Sequence, residues 1–281
     1  MRVICCSIAV VGWLASSAAN DCAYAQSSLN ASYRISLLGI TVGHGIWQLE
    51  IDNNRYWETA DARISGLASK LISGEGHAST QGVLISNRPQ PTAFEADIKT
   101  DAEIDNITMM FDASGVTDLA VEPPLPAELK RQQVPVTDAD RKGVLDPLTS
   151  LLIVPDSSDL LTPQACQNRI PVFDGRRRYD LALAFKRMDK LKTETGYHAV
   201  VVCSIHVTPV SGHRIGGSIA QQLIKSDGME VALAPLPGTR ILVPLQAAIP
   251  TALGTIWIAA ERIVATDPLS DPIASSQPQQ R

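Results

Sequence analysis

The sequence predicts an all-β fold: one strongly curled antiparallel sheet, a half-barrel or β-spiral, with two short helices. Three observations predict it. Apolar residues recur with a period of two through most of the chain, and Gly, Pro, Asn and Asp interrupt them at short intervals. Strands and helices do not alternate, which disfavours a Rossmann or α/β-barrel enzyme. The chain has 281 residues, 45% of them hydrophobic, enough to bury a large core in one or two domains.

The elements are expected in this order. Tyr33, Ile35 and Leu37 share one face, Ile40 and Val42 resume after Gly39, and Trp47, Leu49 and Ile51 lead to the turn at Asp52-Asn53-Asn54. From Asp61 to Ile72 the spacing of Ile64, Leu67, Ala68, Leu71 and Ile72 is helical, with Gly74 and Gly76 just beyond, so an amphipathic helix is expected there. Strands are expected over 82–86, 92–100 and 105–112, with Phe94, Ala96 and Ile98, then Ile107, Met109 and Phe111, on single faces. Pro123-Pro124-Leu125-Pro126 breaks regular structure and opens a long exposed connection over 122–142. Asp146 as N-cap and Pro147 at the first helical position predict a second helix, with Leu148, Leu151 and Leu152 on its apolar face and Pro155 at its end. A second strand group runs from Tyr179 through the valines of 198–207 to 229–234, 240–245 and 255–263. Residues 26–266 are expected to form a single domain, and the Pro-, Ser- and Gln-rich residues 267–281 a disordered tail.

Residues 1–25 read as a cleaved signal peptide: Met1-Arg2, an apolar run from Val3 to Leu14, small residues, and the cleavage tripeptide Ala23-Tyr24-Ala25. A retained N-terminal anchor is the alternative, but the apolar run is shorter than the roughly 20 residues of a membrane span. No transmembrane segment is expected after cleavage. Cys5, Cys6 and Cys22 leave with that segment, and Cys166 and Cys203 remain. Two cysteines in an oxidising compartment read as one disulfide, with two buried free thiols as the alternative. The formal net charge of −5 and the absence of a basic stripe exclude nucleic acid as a natural partner.

The residues that could carry chemistry are few. In Phe173-Asp174-Gly175-Arg176-Arg177-Arg178-Tyr179, the Asp-Gly pair predicts a β-turn. Arg176, Arg177 and Arg178 then either pair with carboxylates or contact an anionic ligand. His206 and His213 lack a third partner in register, and His44 and His77 sit beside glycines. Asp138 and Asp140 are closer together than a glycosidase pair needs, and read as part of a helix cap. No nucleophile elbow or phosphate loop is present, so no catalytic residue, metal site or cofactor is expected. What remains is shape. Ile64, Leu67 and Leu71, with Leu148, Leu151 and Leu152, could line an apolar groove against the curled sheet, or simply fill the core.

Several phrases, in order, resemble the exported bacterial proteins of domain-of-unknown-function family 3108. They are Leu38-Gly39-Ile40-Thr41-Val42-Gly43, Arg88-Pro89, Asp146-Pro147-Leu148, Pro171 to Tyr179, a cysteine in the following valine-rich strand, and Leu253-Gly254-Thr255. The resemblance covers most of the chain after residue 25. It implies a periplasmic, all-β protein of the cell envelope. The expected function is non-enzymatic binding of a lipid, glycan or envelope protein through a curved β surface. The alternatives are a cell-wall hydrolase using Asp174, His206 and His213, or a structural assembly factor.

Overall fold

A computed structural model of the chain describes residues 27–65, 74–101, 104–217 and 228–266. The expected signal peptide and C-terminal tail lie outside these residues. The first half of the sheet comprises β1 (Ser27–Leu37), β2 (Ile40–Asp52), β3 (Arg55–Ile64), β4 (Gly74–Ile85), β5 (Arg88–Thr100), β6 (Ile104–Asp112) and β7 (Gly115–Glu122). The second comprises β8 (Arg169–Phe173), β9 (Arg178–Thr193), β10 (Gly196–Ser211), β11 (Glu230–Pro235), β12 (Leu242–Thr251) and β13 (Gly254–Thr266). All belong to one 13-stranded antiparallel sheet in the order β7-β6-β5-β4-β3-β2-β1-β13-β12-β11-β10-β9-β8.

The chain therefore enters in the middle of the sheet. It meanders outward to β7, crosses to the far edge at β8, and meanders back until β13 pairs with β1, with Leu29 opposite Ala265 and Ile35 opposite Ile258. Two edges remain, β7 and β8, and exposed edges invite pairing with other chains. The crossover between them hydrogen-bonds to both. Gly143 N–H donates to Ser114 C=O at the start of β7, while Leu145 N–H donates to Pro171 C=O and its carbonyl accepts from Phe173 N–H on β8, each at 2.9 Å. Residues 142–145 thus stitch across the open seam of a barrel-like sheet.

The alternation read from the sequence sets the inner face. Trp47, Leu49 and Ile51 on β2, Phe94 and Ala96 on β5, and Ile107, Met109 and Phe111 on β6 are buried. The crossover fills the interior. Leu152 joins the cluster built on β1, β2 and β12, and Val144 and Leu148 join the cluster of β5 and β6. It then pairs outward, with Ile153 and Leu242 exchanging backbone hydrogen bonds at 3.0 and 2.7 Å. Beyond Ile153 it covers the other face of β10. Val200 and Val202 pack inside while Val201 and Cys203 pack under Ala165 and Cys166. A strand buried on both faces reads as a continuous apolar run, which explains the valines of 200–202.

Cys166 and Cys203 form the expected disulfide, with Cα atoms 5.5 Å apart. It pins the end of the crossover to β10.

Of the two expected helices, the first is corrected at its start and otherwise lies outside the described residues, and the second is corrected. Residues 61–64 of the first belong to β3, and Leu67 and Leu71 lie outside the described residues. Pairing with β2 and β4 decides that segment: Asp61 lies opposite both Ile46 and His77. Sheet partners on both sides outweigh local periodicity. The second is only a 3₁₀ turn, Thr149–Leu151. Asp146 does cap it, its Oδ1 accepting the N–H groups of Leu148 and Thr149 at 2.9 and 3.0 Å. The helix goes no further because Leu148 and Leu152 are drawn into different clusters. β7 and β8, the two edges, are strands that the sequence pattern does not announce.

The seam is testable. A Cβ on Gly115, whose φ is +132°, would meet Arg141 O at 2.1 Å. Gly115→Ala should cost about 2–4 kcal/mol in chemical denaturation and speed proteolysis within 123–168; unchanged stability would show that the stitch does not hold the edge. Reducing the disulfide should cost about 4 kcal/mol by loop entropy, measured as the shift in denaturation midpoint with and without reductant.

Candidate functional site

Toward one end of the sheet the inward positions become small. Ala62 lies opposite Gly76, and Ala60 opposite Ala78. Ala78 in turn lies opposite Ala96. Large residues elsewhere on the inner face meet the crossover, but these leave space. The result is a cleft of about 270 Å³, just under the roughly 300–1,000 Å³ usual for small-molecule sites. Phe94, Ile98 and Ile107 give it apolar walls, Pro147 and Leu148 of the crossover close one side, and the β8–β9 turn closes another.

That turn brings the charges. Asp174 Oδ1 accepts the backbone N–H groups of Arg176 and Arg177 at 2.8 and 2.6 Å, forming the predicted Asp-Gly turn. Gly175, with φ +91°, presses against Ile107, where a Cβ would lie 2.6 Å from Cγ2. Arg176 reaches across the seam to β6 and forms an ion pair with Asp105, both side chains mostly buried. It also donates to Pro123 C=O at 2.8 Å. Burial pushes the Asp174 carboxyl above its ordinary value, against the pull of the two backbone donors. Arg178 pairs with Asp180, which Arg169 also holds. Of the three arginines, Arg177 is the exposed one, 3.7 Å from Asp174. A neighbouring hollow of about 590 Å³ shares Asp61, Ala62, Gly76, His77 and Ile98 with the cleft and adds four charged residues, Arg63, Glu75, Asp97 and Lys99, among apolar ones such as Ile46 and Ile104.

Behind the cleft lies a buried polar network that sequence reasoning missed. Tyr56 and Glu58 point inward from β3 and are shielded from solvent, as are Thr80 on β4 and Asp146 and Thr149 on the crossover. Thr80 Oγ1 donates to Asp146 Oδ2 at 3.0 Å. Thr149 Oγ1 lies 2.9 Å from Tyr56 Oη and 3.3 Å from Thr80 Oγ1. Trp47 Nε1–H donates to Glu58 Oε2 at 3.0 Å, while Glu58 Oε1 has no partner. Burial, and then the charge of Asp146, push the Glu58 carboxyl well above its ordinary value. Asp146 is also raised by burial, opposed by its four hydrogen bonds. The donors around Asp146 suit a carboxylate and the single donor to Glu58 suits a neutral acid, so the proton belongs on Glu58. The signal was present in the sequence: Glu58 falls in phase with Tyr56 and Ala60, a charged residue at an inward position.

The other expected residues are scattered. Leu148 lines the cleft, but Leu151 and Leu152 pack in the core and Ile64 lies against Gly74. His206 is exposed on β10 opposite Ala182. His213 lies beyond β10, its carbonyl accepting from Val134 N–H at 3.0 Å. No hydrogen bond among the described residues joins either histidine to Asp174. Thr137 caps the turn Asp138–Arg141 and donates to Asp140, the structural role expected for that pair. His44 meets Ser65, and His77 meets Asp61. Among the described residues no cluster of three or more His, Cys, Asp or Glu could hold a metal, and no helix is long and apolar enough to cross a membrane.

Together these features define a class: a barrel-like single-sheet protein with an internal strap and a small apolar cleft ending in ion pairs. The chain belongs to the family described as "Protein of unknown function (DUF3108)", whose model matches residues 32–257. It is similar in fold to a solved β-barrel-like protein of the domain of unknown function DUF1849 from Brucella abortus, with a TM-score of 0.50 at 10% identity, covering 85% of this chain and 98% of that one. No curated protein matches the sequence.

The protonation of Glu58 gives a pH prediction. A carboxyl whose folded pKa is raised binds its proton more tightly when folded, so its contribution is present below the ordinary value of 4.5 and is lost as pH rises toward the folded pKa. Glu58→Gln keeps the acceptor for Trp47 and removes the titration. The variant should gain stability over the parent as pH rises, by up to about 1.4 kcal/mol per pH unit. Melting curves at about pH 5 and about pH 8 check this; a constant difference would place the proton elsewhere.

Proposed function

We propose that this protein is a non-enzymatic binding protein of the cell envelope that holds an amphipathic ligand. An acyl-like portion occupies the cleft, and the polar end meets the Arg176–Asp105 pair and Arg177. The observation that carries this reading is the cleft's lining. Inward positions that could hold core side chains are instead Ala60, Ala62, Gly76, Ala78 and Ala96, beside Phe94, Ile98 and Ile107. Among ligand classes, an apolar chain suits these walls better than a glycan, which needs a denser array of polar groups. The signal-like residues 1–25 and the Cys166–Cys203 disulfide support export to the periplasm.

The three arginines divide the work. Arg176 and Arg178 are mostly buried against Asp105 and Asp180, whereas Arg177, paired at 3.7 Å with Asp174, is half exposed and so is the guanidinium of the three that can approach an anionic headgroup. Its contribution is modest because it is half exposed and screened.

Fluorescence titration with a dansylated fatty acid tests the reading. The parent protein should bind the probe saturably. Ala78→Phe, which fills the cleft, should weaken binding at least tenfold while the melting temperature stays within a few degrees. Arg177→Ser should weaken it about two- to fivefold. No saturable binding by the parent protein, or unaltered binding by the filled variant, would sink the proposal.

A further inference from the structure

The turn residues at the two ends of the sheet differ in chemistry, while exposed apolar residues flank turns at both, Ile85 and Tyr197 at the first end. In an antiparallel meander, alternate turns fall at the same end. One end carries the two-residue turns Asn53-Asn54 and Ser86-Asn87, with φ values of 48°, 64°, 51° and 63°. Both central residues are left-handed, the geometry that hairpin twist favours and that asparagine tolerates well. The β9–β10 turn at that end, Glu194-Thr195, is also polar and exposed.

The opposite end breaks this rule. Its β1–β2 turn is Leu38-Gly39, with φ values of 52° and 79°. A branched apolar side chain there carries the strain of a left-handed residue. It obtains no burial in return, because Leu38 is 74% exposed. Leu253, in the β12–β13 turn, is also 74% exposed and Ile40 is 56% exposed. The two turns touch: a Cβ on Gly254 would lie 2.7 Å from Leu38 Cδ2. Ile215, 64% exposed, follows β10 at the same end. Beside it stand Arg214 and Arg177, both exposed, the latter beneath Gly212, whose Cβ would lie 2.8 Å from Arg177 Cα. Gly76, Ile98 and Asp105, which line the cleft, sit near the same ends of their strands.

We propose that this rim docks on a phospholipid bilayer, Leu38 and Leu253 entering the acyl boundary while Arg177 and Arg214 face the phosphates. Two features favour a bilayer over a protein partner. The apolar groups are turn tips along a rim, the touching Leu38 and Leu253 turns at one place and Ile215 beyond β11 at another, and a fluid phase accepts such tips without shape complementarity. The arginines on the rim complement the anionic phosphates of the headgroup layer. The proposal does not depend on the cleft holding a ligand. Both features would serve a protein that exchanges an amphipathic molecule with the membrane.

The test uses protein lacking residues 1–25, since every described element lies within 27–266. It is floated with vesicles of phosphatidylethanolamine and phosphatidylglycerol. The parent should float with the lipid. The double variant Leu38→Asn, Leu253→Asn should partition at least tenfold less. Its melting temperature should be equal or higher, because asparagine suits the left-handed position, so loss of flotation is not loss of fold. It should still bind the dansylated fatty acid as the parent does if the cleft reading holds, which separates the two proposals. Failure of the parent to float, or equal flotation of the double variant, would overturn membrane docking. A parent that does not float but sediments as a dimer, with the double variant monomeric, would overturn it in favour of a second copy on this rim.

Discussion

The structure depends on one topological constraint: the chain enters its sheet in the middle. A meander that starts at β1 and ends at β13 beside it must leave two free edges, and some segment must travel between them. Here that segment runs from 123 to 168, and its middle, 144–152, goes through the interior before the chain turns out over β10. A single curled sheet has one concave face and no second layer to cover it, so the crossover supplies the missing layer. Val144, Leu148 and Leu152 fill the curl, residues 142–145 pair with both edges, and Ala165 and Cys166 cover β10 from outside. Removing the crossover would therefore expose both the core and the edges.

A strap with little regular structure needs something to fix its register, and the buried polar network does so. Asp146 ties the strap to itself through Leu148 and Thr149 and to β4 through Thr80. Thr149 ties it to Tyr56 on β3. An apolar plug could slide by a residue at small cost, whereas a displaced Asp146 would leave a buried carboxylate without donors, several kcal/mol less favourable. Glu58 sits beside this network as a neutral acid. Its bond to Trp47 accounts for one oxygen, and its Oε1 is buried without a partner.

Much of this was legible in the sequence, and the failures have physical causes. The inward phases of β2, β5 and β6 come from alternation alone, because their inner faces are apolar and the next residue is polar. Residues 61–64 read as the start of a helix because periodicity is a local signal, while the pairing of Asp61 with Ile46 and His77 that makes them strand is not. The Asp146-Pro147 cap is plain in the sequence, but the length of the helical turn after it depends on where Leu148 and Leu152 find neighbours. β8 is hidden because five residues ending at an Asp-Gly turn give too short a pattern. The disulfide needs only compartment and count; the ion pair of Arg176 with Asp105 joins residues 71 positions apart and has no sequence signature. Glu58 was visible in principle, as a charged residue in phase with Tyr56 and Ala60.

The cleft lies where the strap stops filling the curl. Along β3 the inward residues run Tyr56, Glu58, Ala60 and Ala62: large, then ionisable, then small. On β4 they run Thr80, Ala78 and Gly76 toward the same end. Aromatic and polar groups meet the strap at one end of this gradient, and at the other β3 and β4 offer only Ala60, Ala62, Ala78 and Gly76, so that Leu148 packs with Phe94 and Ile107 of β5 and β6 instead. A core selected only for stability would place branched or aromatic side chains there, as β2 does with Trp47 and Leu49. Small residues at that end give up burial, and they do so beside Arg177 and near the rim that carries Leu38. When a sequence departs from good packing at one place, and turn chemistry departs from its own preferences at the same end of the sheet, the two departures are best explained together. Under the proposed binding role, the end of the barrel that is poorly filled inside and apolar at its turn tips is the end through which the ligand would pass.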